Sequence, residues 1–236
     1  MSRIPPKRSS SARSKWAKHQ ILIGRKELAQ HLPSTQRFAM RRLWRFIEKF
    51  EIAIIKPTIG HSGYGILQVS QLEKRRYAIQ TEDRIIIVDG KRTASDRIAR
   101  MTRNRSCLVQ QWIPLARIDD RPFDLRVIVS RPHRKSAWAV TGMYAKLAEA
   151  DYMITNVARE IMPATHAIEY ANLRPTPTRK LIRKIKAVCL TAAKRLASYY
   201  PDQRIIGFDI GVDVNAEVWL IEANFKPSLR PLWRLK

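Results

Sequence analysis

Residues 207–228, GFDIGVDVNAEVWLIEANFKPS, have the spacing of a two-stranded ribbon that brings carboxylates together. If Asn215 and Ala216 make a two-residue hairpin loop, Val214 pairs with Glu217, and counting back along both strands sets Asp209 against Glu222. Asn224 follows on the same face. Facing side chains in such a pair lie roughly 4.5–5.5 Å apart at Cβ, where two like charges destabilise the sheet unless a positive group joins them. Three oxygen donors in one place suit a hard divalent cation, magnesium above all. The reverse face is expected to carry Phe208, Ile210 and Val212 against Trp219, Ile221 and Ala223, so that its burial holds the register. A loop of odd length would break the pairing.

A second chemical element is KPTIGHSGYGI, in which Lys56 closes an apolar strand and Gly60, Gly63 and Gly65 punctuate the loop that follows. Glycines let a backbone approach phosphate oxygens and point amides at them, and the lysine adds charge. No GK[ST] follows, and the loop joins strand to strand, so it is not a Walker loop. Neither an H-R-D nor a D-F-G motif stands downstream, which excludes a protein kinase. Taken alone, the segment also reads as a flexible hairpin turn.

The elements that must position these groups follow from periodicity. SKWAKHQILIGRKELAQHLP reads as a helical stretch ending at Pro33, and Thr35 as the cap of the next helix, whose Met40, Leu43, Trp44, Ile47 and Phe50 form a face that packs on a sheet. IAIIKP, GILQVS, RYAIQ and RIIIVD read as an antiparallel meander. A basic helix near 95–103 leads to the strand CLVQQWI, the passage into a second lobe. FDLRVIVS and SAWAVTGMYAKLA are strands. Leu181, Ile185, Val188, Ala192, Leu196 and Tyr199 mark a long amphipathic helix with Pro177 near its first turn.

The chain has 236 residues, 45% hydrophobic and 28% charged, enough for two modest lobes with a real core. Cys107 and Cys189 lack metal-type spacing and read as buried thiols in a reducing compartment. No run approaches the roughly 18–20 apolar residues of a membrane span, and the Arg/Ser-rich start has no signal core, which points to the cytoplasm and to a basic tail over residues 1–14. The formal charge of +25 calls for an anionic partner. The basic residues are spread along the whole chain and no local nucleic-acid-binding module is present, so a triphosphate and an acidic partner are expected in place of nucleic acid.

In order, Lys-Pro-x-x-Gly-x-x-Gly-x-Gly, Gln-Gln-Trp-Ile, Asp-x-Arg, Asp209 and Glu222-x-Asn224 resemble the ATP-grasp enzymes. SKWAKHQIL with HLPST, RPFDLRV, WAVTGMYAKL and ITNVAR narrow the resemblance to the spore-associated YheC/YheD group, over nearly everything after the tail. The resemblance implies an α+β fold of two lobes, 15–106 and 107–236, with ATP held between them and the glycine loop as a lid. It also implies site residues. Lys56 and Lys15 contact the phosphates. Gly60, His61, Ser62, Gly63 and Gly65 form the lid. Gln110, Gln111, Trp112 and Ile113 frame the adenine, although Trp112 reads equally as core. Asp209, Glu222 and Asn224 hold Mg²⁺. Arg126 neutralises the transferring phosphate or the acceptor, unless it only pairs with Asp124.

The implied reaction is ATP-dependent ligation, in which an acceptor carboxylate becomes an acylphosphate and an amine or other nucleophile displaces the phosphate. Three departures count against turnover and keep a nucleotide-binding scaffold as the alternative, although the sequence as a whole favours the ligase. Lys146 stands where the family has arginine, which loses bidentate recognition. Asn156 and Arg159 are followed by Glu160 and Ile161 where members carry a glycine pair. The usual separate N-terminal acceptor-binding domain is not expected within the chain, so either a separate domain or partner supplies it or the acceptor site is open. A basic nucleic-acid binder is a third reading, marked by steep salt dependence.

Overall fold

The computed structural model describes residues 12–60, 64–73, 75–81, 84–148 and 158–233, and divides the chain into two compact units. Helices α1 (Lys15–Ile23) and α2 (Lys26–Ala29) come first. The expected single helical stretch is therefore broken at Gly24, whose N–H bonds to the Leu22 carbonyl. Strand β1 (Thr35–Arg37) and helix α3 (Met40–Phe50) follow. Thr35 does not cap α3. It lies in β1, opposite Gln110, and the α3 N-cap is Ala39. Ladder pairing supplies the backbone partners there that a side-chain cap would have offered to a helix.

Next come β2 (Ile52–Pro57), β3 (Leu67–Gln71), β4 (Arg76–Thr81), β5 (Arg84–Asp89), α4 (Lys91–Thr102) and β6 (Cys107–Gln111). The meander is antiparallel as expected, and the sheet order is β1-β6-β2-β3-β4-β5. Alternation explains the layering. Ala53, Ile55, Leu67, Val69, Tyr77 and Ile79 point to one face, where Leu43, Trp44, Phe46 and Ile47 of α3 and Ala94 and Ile98 of α4 close the core. Phe46 joins the α3 face that the sequence assigned to five other residues.

The rest comprises β7 (Arg117–Ile118), β8 (Arg121–Ser130), β9 (Ala139–Ala148), β10 (Ala158–Pro163), α5 (Ala164–Tyr170), α6 (Thr178–Ala197), β11 (Ile205–Val212), β12 (Val218–Asn224) and α7 (Arg230–Trp233). Here the order is β10-β9-β8-β11-β12, with β7 paired to β8. Phe123, Leu125, Val127 and Val129 of β8 and Phe208, Ile210 and Val212 of β11 bury one face against Leu181, Ile185, Val188, Ala192 and Leu196 of α6 and Ile21 and Leu22 of α1. Each fully buried side chain of this size contributes about 1.5–3 kcal/mol. Cys189 belongs to this core and Cys107 to the other one, both as free thiols.

The units do not follow the expected boundary at 106/107. The described residues 12–32 cluster with those from Pro114 onward, and β6 belongs to the sheet of residues 33–113. The reason is local. α1 packs its apolar side on α6 and β12, and His31 borders β12, where the Leu220 N–H donates to the His31 carbonyl at 2.7 Å.

Candidate functional site

Asp209 stands opposite Glu222, and Gly207 opposite Asn224. The pairing is reached by a different route from the one expected. The loop between Asp213 and Glu217 has three residues, with Ala216 at φ 62°. Asp213 organises it, accepting the N–H groups of Asn215 at 3.0 Å and Glu217 at 2.9 Å on Oδ1, and the Trp219 indole N–H on Oδ2 at 2.9 Å. A three-residue loop shifts the ladder, so Val212 pairs with Val218 and Ile210 with Leu220. A bulge at Ile221 restores Asp209 against Glu222. Corrected accordingly, the buried face carries Val218, Leu220 and Ala223. Trp219 and Ile221 are only partly buried and do not belong to it.

The opposite face of the same sheet gathers charge. In register, Arg126 of β8 faces both Asp209 of β11 and Tyr144 of β9, while Asp124 faces Lys146. Arg126 Nε lies 2.7 Å from Asp209 Oδ1, and Lys146 Nζ lies 3.4 Å from that oxygen and 3.0 Å from Asp124 Oδ1. Asn224 donates to Asp209 Oδ2 at 3.0 Å. Lys15 of α1 reaches Glu222 Oε2 at 2.7 Å. Gly207, two residues before Asp209, leaves room for the approach, since a Cβ there would meet Pro227 at 2.6 Å and the Arg126 stem at 3.3 Å. Arg126 thus pairs with Asp209, and the partner of Asp124 is Lys146.

The electrostatics follow from that packing. Burial favours a neutral Asp209, but Lys146 and Arg126 outweigh it and hold its carboxyl below the usual carboxylate range. Burial likewise opposes the charge of Lys146, yet Asp124 and Asp209 raise its pKa above the ordinary lysine value. Arg126 is also raised: burial works against its charge and Asp209 more than compensates. Lys18 differs. It is buried, its amine donates to the Ala223 carbonyl between the two ribbon ligands, and it lies 5.0 Å from the Phe225 ring centre. There burial prevails over Glu222 and lowers the pKa to about 8. Sequence reasoning passed over Lys18, although its spacing of three from Lys15 on a helix was a usable signal.

In the other unit, Lys56 on β2 is 5% exposed and donates to Gln110 Oε1 at 2.7 Å. Gln110 Nε2 donates to Thr35 Oγ1 at 2.8 Å, and that hydroxyl donates to the Pro33 carbonyl at 2.8 Å. The relay needs Thr35 in a strand, a role the sequence did not suggest. Gln111 Oε1 accepts the Ser34 N–H at 3.3 Å, Trp112 is half-buried and Ile113 buried. Gly60 (φ 156°) and Gly65 (φ 75°) sit where L side chains are strained, and a Cβ on Gly65 would meet the Arg105 guanidinium at 2.6 Å. His61, Ser62, Gly63 and Asn156 lie outside the described residues. Glu160 is held by Arg121 at 3.2 Å.

As a donor set, two carboxylates and an amide on one sheet face fit a hard divalent cation. Among the described residues no group of three or more His, Cys, Asp and Glu forms a metal-like cluster, so such an ion would rest on this mixed set.

Two antiparallel sheets with helices packed on them, one of them carrying this ribbon, define the class: the fold is ATP-grasp, shared with solved ligases at low identity. N5-carboxyaminoimidazole ribonucleotide synthetase purK, in its ADP complex, matches with TM-score 0.55 and 13% identity over 93% of this chain and 46% of that one. D-cycloserine synthetase DcsG gives TM-score 0.56 and 12% identity over 93% and 64%. The ATP-grasp ligase PsnB gives 0.52 and 17% over 94% and 52%. Within that class, the chain belongs to the YheC/D-like ATP-grasp family, which it matches over residues 6–234. It is 28% identical over 222 residues to the endospore coat-associated protein YheD of Bacillus subtilis (strain 168), covering 91% of this chain and 48% of the relative. The chain therefore spans about half the length of that protein.

Proposed function

We propose that the chain is an ATP- and Mg²⁺-dependent ligase that activates an acceptor carboxylate as an acylphosphate for attack by an amine or another nucleophile. The observation that carries this reading is Asp209 opposite Glu222 with Asn224 beside them, on a sheet face that also presents Arg126 and Lys146. Asp209, Glu222 and Asn224 would hold the metal, which neutralises phosphoryl charge when bound. Arg126 and Lys146 would meet charge developing on the transferred phosphoryl group and on the acceptor. Lys56 and Lys15 are cations for the triphosphate, and Gly60, His61, Ser62, Gly63 and Gly65 a lid over it. Gln110, Gln111, Trp112 and Ile113 frame the base, and Asn156 completes the acceptor side. No side-chain nucleophile is needed, because phosphoryl transfer is served by positioning and electrostatics.

Relatives support the chemistry. PsnB has been solved with Mg, ADP and a precursor variant, and purK with ADP. The charge of +25 suits an acidic acceptor, and endospore coat association, as in the Bacillus relative, is part of the same proposal. Among the described residues no helix is long and apolar enough to cross a membrane. A second reading, a nucleotide-binding scaffold, is favoured by one observation: Lys146 is engaged by two carboxylates and is a lysine where bidentate recognition would need arginine.

Calorimetry with a non-hydrolysable ATP analogue, with and without Mg²⁺, tests binding, and ADP release against a panel of acidic acceptors tests turnover. Metal-dependent binding and acceptor-dependent ADP, both lost in Glu222→Gln, are expected of the ligase. Binding without acceptor-dependent ADP identifies the scaffold. ADP release by Glu222→Gln at the parent rate removes the site assignment.

A further inference from the structure

The ribbon face contains more positive charge than its carboxylates need. Lys15, Lys18, Arg126 and Lys146 are set against Asp124, Asp209 and Glu222, with paired side chains between 7% and 17% exposed. Among the described residues, four cations against three anions leave one positive charge in excess. A bare divalent cation arriving here meets net repulsion, and bare triphosphate brings more negative charge than the excess can balance. A metal–polyphosphate complex, still negative overall, brings the site nearest to neutrality. The set is therefore matched to the two ligands together.

One of the four cations is placed to enforce that coupling. Lys146 and Arg126 are fixed in the ladder between opposing strands. Lys18 is fixed to a main-chain carbonyl of β12. Lys15 is the first residue of α1, capped by Ser14, whose Oγ accepts the Ala17 N–H at 3.2 Å, and its ammonium reaches Glu222 through a single contact on a flexible stem. Lys18 anchors the helix whether or not Lys15 keeps its contact. A positive charge in the first turn is also disfavoured by the helix dipole, whereas an anion there is favoured.

We infer that Lys15 is an exchangeable counter-ion for Glu222: it holds the carboxylate until a metal–nucleotide complex arrives, then yields Glu222 to the metal and transfers to the polyphosphate. The inference rests on the metal reading above and adds its regulation, since Lys15 makes metal binding conditional on nucleotide.

Mn²⁺ titration of the full chain followed by electron paramagnetic resonance, with and without a non-hydrolysable ATP analogue, separates the two. The parent is expected to bind Mn²⁺ weakly alone and more tightly with the analogue. In Lys15→Gln, Mn²⁺ affinity without nucleotide should rise by at least about fivefold, the lower end of ordinary coupling between sites, and the enhancement by nucleotide should shrink. Lys15→Arg, which keeps the charge, should restore the parent pattern. Lys15→Met keeps the stem and serves if the glutamine variant does not fold. Unchanged nucleotide-free affinity in Lys15→Gln or Lys15→Met overturns the exchange while leaving the metal site intact. Mn²⁺ binding with nucleotide that Glu222→Gln does not weaken overturns the metal reading itself.

Discussion

Lys146 and Lys56 are both lysines on sheet strands with little exposure, and they are held by different chemistry. Lys146 is set between the carboxylates of Asp124 and Asp209, in a face where Arg126 and Lys15 are also ion-paired. Lys56 donates a hydrogen bond to the amide oxygen of Gln110, and the relay continues through neutral groups to the Pro33 carbonyl. Charges compensated by charges form a set in which no member can be removed alone without leaving another unmatched in a desolvated place. A relay of neutral groups loses one hydrogen bond at a time. The first arrangement suits binding of a compact, highly charged ligand, and the second holds one cation at a fixed point.

The comparison is broken most directly at Asp209. Asp209→Asn leaves Arg126 and Lys146 without their shared carboxylate, and a loss of about 3–5 kcal/mol is expected in urea denaturation. A loss under about 1 kcal/mol would show that the charges on this face are solvated after all. The pH dependence sharpens the point. The folded pKa of Asp209 lies below its ordinary value, so its contribution is full above the unfolded carboxylate pKa and is lost as pH falls through the folded one. The stability gap between parent and Asp209→Asn should be constant above about pH 5 and narrow below about pH 4.

Lys56→Met tests the neutral side. It leaves the Gln110 oxygen without the lysine donor, and a smaller loss of about 1–3 kcal/mol is expected, together with weaker binding of the ATP analogue in calorimetry. An effect as large as that of Asp209→Asn would erase the distinction between the two regions.

How much of this was legible in sequence differs between the regions for the same physical reasons. Strand alternation showed both sheets, because one buried face per strand is a local pattern. The opposition of Asp209 and Glu222 was legible through two offsets that cancel. The loop is one residue longer than expected, and the bulge at Ile221 takes up the difference, so the register is right at the carboxylates and wrong nearer the turn. Trp219 and Ile221 were misplaced for that reason, and no residue type announces the bulge, since Ile221 is apolar like its neighbours. Lys15 and Lys18 reach β12 by tertiary packing of α1; the resemblance pointed to Lys15 as a phosphate contact but not to its pairing with Glu222, and on a strongly basic chain Lys18 reads as one more solvated lysine. Thr35 carried a true local signal, a hydroxyl residue shortly before a helical pattern, but pairing with β6 outweighed capping.

Gly65→Ala probes the loop after Lys56 with an effect of order 1 kcal/mol, because alanine is strained at φ 75° and its Cβ must displace the flexible end of Arg105. The smallest and most discriminating change is Thr35→Val. It keeps size and β-branching but removes the hydroxyl that accepts from Gln110 Nε2 and donates to Pro33, so about 0.5–1.5 kcal/mol of stability should go. The amide of Gln110 has two ends, and Thr35 is the partner that turns the nitrogen one way and the oxygen toward Lys56. Without that hydroxyl the amide is free to turn, and an N–H group facing an ammonium no longer holds it. Thr35→Val should therefore weaken analogue binding in the parent background and have little further effect in Lys56→Met. A double-mutant cycle reads this as a coupling of about 0.5 kcal/mol or more. Additive losses would mean that Thr35 merely fills space in β1 and that Lys56 is held in place by other contacts.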